Sequence, residues 1–218
     1  MVSAAQVEQA MTPETFLVSV MFANNEIGTI QPVREIASLC RSKGVLFHTD
    51  AVQAVGHIPI DVKEMGMDML SLSAHKFRGP KGVGVLFIRK GVRIENLLHG
   101  GAQEKGRRAT TENVPGIVGL GKAIELASQK MEKESARQSQ LRDLLIKSLG
   151  EKIPEAILNG AEGTQRLPNN VNMSFIGVEG EILLLDLDAA GIYGSTDSVC
   201  FSDSIDPSHV VMAIGLYH

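Results

Sequence analysis

The 218 residues include 44% apolar side chains, and 21 Lys and Arg stand against 25 Asp and Glu for a net charge of −4 at pH 7. A chain of this size and apolar content can fill a real core, which excludes disordered and collagen-like classes, and it lacks the basic excess that would make nucleic acid or an anionic membrane the main partner. No apolar run approaches the roughly 20 residues of a membrane helix, and residues 1–5 carry no secretory leader, so a soluble, cytoplasmic protein is expected. Two cysteines, Cys40 and Cys200, lie far apart in the chain. They suggest no disulfide framework, and each thiol is judged alone.

Short apolar runs alternate with helical stretches in the first half. Residues 16–22 read as a buried strand, and residues 33–43, apolar at Val33, Ile36, Ala37 and Cys40, read as a helix that Gly44 ends. Cys40 lies on the apolar face of that helix and is assigned to the core. Residues 45–48 begin a second strand, 56–66 form a linker, 68–73 make a third strand and 84–89 a fourth. Strand, helix, strand in this order predicts an α/β fold with a mainly parallel sheet and covering helices. The Gly-Pro-rich turn between the last two strands leaves room for that pair to be antiparallel. Residues 117–149 form one long helical pattern without proline, read as a bridge to a smaller α+β domain with a turn at Pro154, an apolar run at 171–176 and helices over 179–190 and 207–213. The domain reading is therefore 1–116 and 117–218, and the four strands of the first half suggest part of a longer polypeptide.

Chemistry-bearing residues gather at three predicted strand ends. Ser71-Leu72-Ser73-Ala74-His75-Lys76 ends a strand on an amine, at the sheet edge where ligands of such folds bind. Lys76 there is either a nucleophile for an aldehyde cofactor or a solvated lysine. Asp50, in His48-Thr49-Asp50-Ala51-Val52-Gln53, either holds a ring nitrogen protonated or caps a helix, in which case Gln53 would point the same way. Asn24-Asn25 closes the first strand with amides or simply makes a turn. A metal site at His48, Asp50 and His75 is not expected, because no ligand spacing of the His-x₃-His or Cys-x₂-Cys kind accompanies them. Gly79-Pro80-Lys81-Gly82 is read as a turn and not as a phosphate nest.

These motifs, with Ala23-Asn24-Asn25-Glu26-Ile27-Gly28-Thr29-Ile30-Gln31-Pro32 and His99-Gly100-Gly101-Ala102-Gln103-Glu104, resemble the pyridoxal-phosphate-dependent cysteine desulfurases of the iron–sulfur and nitrogen-fixation type. The similarity runs from about Pro13 to Gly215. It implies a class V, fold-type I enzyme that takes sulfur from L-cysteine, leaves L-alanine and holds the sulfur as a persulfide for iron–sulfur cluster biogenesis or another sulfur acceptor or scaffold protein. On matching positions it implies Lys76 as the Schiff-base lysine, Asp50 as partner of the pyridine nitrogen, Asn25 and Gln53 on the ring oxygen, and Ser73 and His75 on the phosphate. Thr111 would reach the phosphate of a neighbouring subunit in a homodimer, and Cys200 would be the nucleophile.

The sequence departs from the family in three respects. Asp197-Ser198-Val199-Cys200 replaces the usual Gly-Ser-Ala-Cys, which should raise the thiol pKa and stiffen the loop. Thr110 stands where the family has glycine, at a cost of about 1 kcal/mol or more if φ there is positive. The amino-terminal half that seats the cofactor phosphate, and an arginine for the substrate carboxylate, have no counterpart, which marks a partial chain. Two alternatives stay open: a non-catalytic homologue acting as a binding subunit, and a selenocysteine lyase.

Overall fold

The computed structural model describes residues 1–196 and 208–215. The chain divides into two compact units: the first holds Val2–Phe22 and Gln31–Glu134, the second Met1, Ala23–Ile30 and Ser135–His218.

The first unit opens with helix α1 (Ala4–Ala10), which the sequence reading did not anticipate. Ser3 starts it, because its Oγ accepts from the Gln6 amide at 3.2 Å while the Gln6 side chain accepts from the Ser3 amide at 2.8 Å. Strand β1 (Leu17–Met21) follows, then helix α2 (Val33–Ser42), and strands β2 (Leu46–Asp50), β3 (Met69–Ser73) and β4 (Gly84–Ile88). The sheet runs in the order β1-β2-β3-β4, parallel across the first three and antiparallel between β3 and β4. All four predicted strands are present, and the turn after β3 does reverse the chain.

Helix α2 buries Val33, Ile36, Ala37 and Cys40, the periodic positions of its sequence. Gly44 then adopts φ +71, which lets the Val45 amide reach back to the Cys40 carbonyl at 2.9 Å and stops the helix. The helix packs on β2, whose Phe47 and Thr49 are fully buried. Burial pushes the Cys40 thiol pKa up, and the nearby Asp68 carboxylate adds to this. Asp68 itself ties three strands together at the amino end of β3. Its Oδ2 accepts from the Phe47 amide at 2.9 Å, and its Oδ1 from Arg89 Nε at 2.6 Å.

Beyond β4, the short helix α3 (Gln103–Gly106) contains Glu104 and Lys105 at φ 51 and 58. Thr110 has φ +101, a conformation that a β-branched side chain strongly resists. Thr110→Gly should therefore stabilise the fold by about 1–2 kcal/mol, read as a higher urea midpoint at unchanged slope. Helix α4 (Val114–Lys152) is longer than predicted at both ends and passes through the boundary between the units. Among the described residues no helix is long and apolar enough to cross a membrane.

The second unit contains an antiparallel pair, β5 (Ala156–Leu158) and β6 (Met173–Phe175), with helices α5 (Gly180–Ala189) and α6 (His209–Ala213). Ser208 caps α6 by accepting from the Val210 amide at 3.1 Å. The loop 23–30 belongs here. It is closed by bridges Ala23 to Ile30 and Thr29 to Arg166, and Asn24 Oδ1 accepts from the Glu26 and Ile27 amides, each at 2.9 Å. Its anchor is Arg166, only 2% exposed, which donates to the carbonyls of Ala161 and Asn159 and to Asn170 Oδ1. Asn170 in turn donates to the Glu26 carbonyl at 2.7 Å.

Candidate active site

Parallel strands deliver their carboxyl ends to one edge of a sheet. In the first unit β2 ends there at Asp50 and β3 at Ser73, with Asp50 paired to Ser71. Because register partners and residues two apart share a face, His48 and Asp50 lie on the same face as Ser71 and Ser73.

Asp50 is exposed, and its Oδ1 accepts from the Val52 amide at 2.9 Å. No helix follows it. Residues 52–57 make successive tight turns, in which the Ala54 and Val55 amides each reach the Ala51 carbonyl at 3.0 Å and the His57 and Ile58 amides then reach the Ala54 carbonyl, with Gly56 at φ +83 interrupting any regular helix. Asp50 is thus a turn cap as well as a strand-end carboxylate, and Gln53 sits half-buried on that turn instead of on a helix.

A 3-10 turn, Ala74–Phe77, follows β3 directly. Ala74 and Phe77 are buried and anchor it, which leaves His75 and Lys76 exposed. The turn ends sharply because Arg78 adopts φ +68 and the Gly79 amide bonds the Ala74 carbonyl at 2.8 Å. A Cβ on Gly79 would lie 2.8 Å from Ala74 Cβ, so glycine is required for this close return. Ser73 Oγ lies 2.8 Å from His75 Nδ1, which fixes the imidazole beside the amine-bearing residue.

The first unit therefore gathers Asp50, Gln53, Ser73, His75 and Lys76 on two consecutive strand ends and the turns after them. Thr111 is exposed in the segment between α3 and α4, and Asn25 is exposed on loop 23–30 of the second unit. Cys200, with Asp197 and Val199, lies outside the described residues.

Sequence reasoning missed a polar chain across the same sheet face. His48 Nδ1 is 2.7 Å from Ser19 Oγ on β1, and Nε2 is 2.8 Å from Ser71 Oγ on β3. The two-residue spacing of His48 and Asp50 was the available signal, but only the strand register joins the serines to it. Burial pulls the His48 pKa below its ordinary 6.5, and Asp50 offsets this only in part. His57 is lowered from the same value, again mainly by burial. The unfolded chain then takes up protons on both rings before the folded chain does. Stability present above pH 6.5 is lost as the pH falls through the folded values. Urea midpoints should fall between about pH 7.5 and about pH 5, and His48→Gln should make that decline shallower.

A family model described as Aminotransferase class-V matches residues 1–215. Cysteine desulfurase IscS of Clostridium botulinum (strain Hall) is 62% identical over 218 residues, all of this chain and 55% of that protein. The protein of the same name from Methanosarcina thermophila is 59% identical, with 54% of its length covered. A solved NifS-like protein superposes with a TM-score of 0.86 at 41% identity, over 98% of this chain and 55% of that one. The chain spans about half the length of the curated relatives it matches, and the mixed sheet with its helices is part of the transferase fold of those structures. Since the family match runs through both units, the chain as a whole belongs to the class-V aminotransferase family.

Proposed function

We propose that this chain forms part of a pyridoxal 5'-phosphate-dependent cysteine desulfurase, with residues 1–116 in the cofactor-binding domain and 117–218 in the smaller one. The observation that carries the proposal is the exposed Lys76 on a rigidly ended turn beside the Ser73–His75 pair, at the edge of the sheet that also ends in Asp50. This donor set suits the cofactor: an amine for an aldehyde, a carboxylate for a pyridinium nitrogen, and a hydroxyl with an imidazole for a phosphate. The cofactor, when bound, supplies an electron sink to the amino acid substrate. Asp50 would keep the ring nitrogen protonated, and Ser73 and His75 would hold the phosphate. Gln53, Asn25 and Thr111 take their proposed roles from the family resemblance, the first two toward the ring oxygen and Thr111 toward the phosphate of a second subunit.

The proposed reaction converts L-cysteine to L-alanine. The Cys200 thiolate attacks the substrate sulfur, the carbon–sulfur bond breaks with its electron pair passing to the carbon, and a persulfide remains on Cys200 for a sulfur acceptor. To test this, the chain is incubated with pyridoxal 5'-phosphate and L-cysteine, and alanine is measured together with the mass of the Cys200 peptide. Alanine with a one-sulfur increment on that peptide is expected. Cofactor bound to Lys76 without either product would favour the non-catalytic homologue.

A further inference from the structure

A four-residue 3-10 turn holds its shape with few bonds of its own, and the last carbonyls of any helical turn look outside it for donors. The Lys76 turn finds one in the preceding segment. Between β2 and β3 the chain makes a tight turn in which the His57 and Ile58 amides both bond the Ala54 carbonyl, at 3.0 and 3.1 Å. Gly56, at φ +83, brings this turn against the next one. A Cβ on Gly56 would lie 2.8 Å from the Cβ of Phe77 and 3.4 Å from that of Ala127. The close approach sets the half-buried His57 imidazole against the backbone of Lys76, with which it hydrogen-bonds.

We propose that His57 is a positioning residue, whose ring fixes the Lys76 turn by a hydrogen bond to the Lys76 backbone and so sets the direction of the lysine amine. A neutral imidazole has a single N–H to donate, and burial and the Arg78 charge keep His57 in that form at neutral pH. The donor is thus committed to one carbonyl. The bond is to the Lys76 backbone, and the lysine side chain stays exposed for reaction. Neither the Ser-Leu-Ser-Ala-His-Lys motif nor the Asp50 segment marks His57 as part of the site, since it lies seven residues past Asp50 and nineteen before Lys76.

The inference rests on the reading of Lys76 as the cofactor lysine, and the test separates the two. The full 218-residue chain, His57→Phe and His57→Gln are each incubated with pyridoxal 5'-phosphate and reduced with borohydride. Pyridoxyl mass on the Lys76 peptide is then compared with that on Lys81, an exposed lysine beyond the turn. In the unsubstituted chain Lys76 should carry the larger share. His57→Phe should lower the Lys76 to Lys81 ratio about tenfold, and His57→Gln, which keeps an N–H, should restore it to within about twofold. An equal ratio in all three chains overturns the role of His57 while leaving the cofactor lysine in place. Equal losses in both variants overturn it as well, because the donor would then be irrelevant. If Lys76 is not favoured even in the unsubstituted chain, the cofactor reading falls and this inference falls with it. Should the Phe variant fail to fold, as judged by its thermal melt, the Gln variant decides alone: a retained ratio supports the role, a lost one overturns it.

Discussion

Lys76→Ala should remove all preferential labelling of the chain by pyridoxal 5'-phosphate and borohydride while leaving its stability within about 0.5 kcal/mol. The stability part of this expectation follows from where the turn is held. Ala74 and Phe77 are its buried anchors, Arg78 and Gly79 end it through the Ala74 carbonyl, and the Lys76 side chain is exposed, while the Lys76 backbone that meets His57 is kept in alanine. Alanine adopts the same helical backbone at no added cost. The chemical part follows from position, because the next lysine along the chain, Lys81, lies past the glycine turn and also faces solvent. Peptide mass analysis after reduction reads both. Persistent specific labelling elsewhere would show that the amine at the end of β3 is an ordinary surface lysine.

Gly28→Ala should cost about 3 kcal/mol. At φ +65, glycine avoids a strain of about 1 kcal/mol that alanine would meet. The added Cβ would also lie 2.4 to 2.7 Å from three atoms of the Asn170 side chain. Asn170 cannot yield freely, because it accepts from Arg166 Nη1 and donates to the Glu26 carbonyl, both at 2.7 Å. Moving it strips a partner from a buried guanidinium, at about 1.5–3 kcal/mol for a bond to a charged group. Gly44→Ala supplies the control, since Gly44 has φ +71 but nothing within 4 Å of the added carbon. It should lose the strain alone, about 1 kcal/mol. Urea unfolding of the two variants measures the difference, and equal losses would mean that Asn170 relaxes without cost.

What the sequence made legible was what local pattern determines. The spacing of Val33, Ile36, Ala37 and Cys40 marked α2 and its buried face, Gly44 marked its end, and the short apolar runs marked β1 to β4. The strand-end placement of Asp50, Ser73 and Lys76 was readable for the same reason. The conditional expectation for Thr110 also holds, because the position does carry a positive φ. What escaped depends on partners distant in the chain. Asp68 became a clamp only once the Phe47 amide and Arg89 were beside it. The Ser19–His48–Ser71 chain requires three strands in register. Strand β5 is three residues long and has no pattern until β6 pairs with it. Of the two roles left open for Asp50, the helix cap is not realised, because Gly56 at φ +83 keeps the turns after Asp50 from continuing as a regular helix.

Cys40 has a use that its burial creates. With a fully buried sulfur and a pKa above the usual thiol range, it reacts with an aqueous disulfide reagent only when α2 lifts from the sheet. Its rate of modification, divided by the rate of a free peptide thiol, gives the population of that opened state and hence a local opening free energy. The thiol is therefore an intrinsic clock for the first unit. It reports how often the layer behind the Lys76 sheet comes apart, without any introduced label and without unfolding the whole chain.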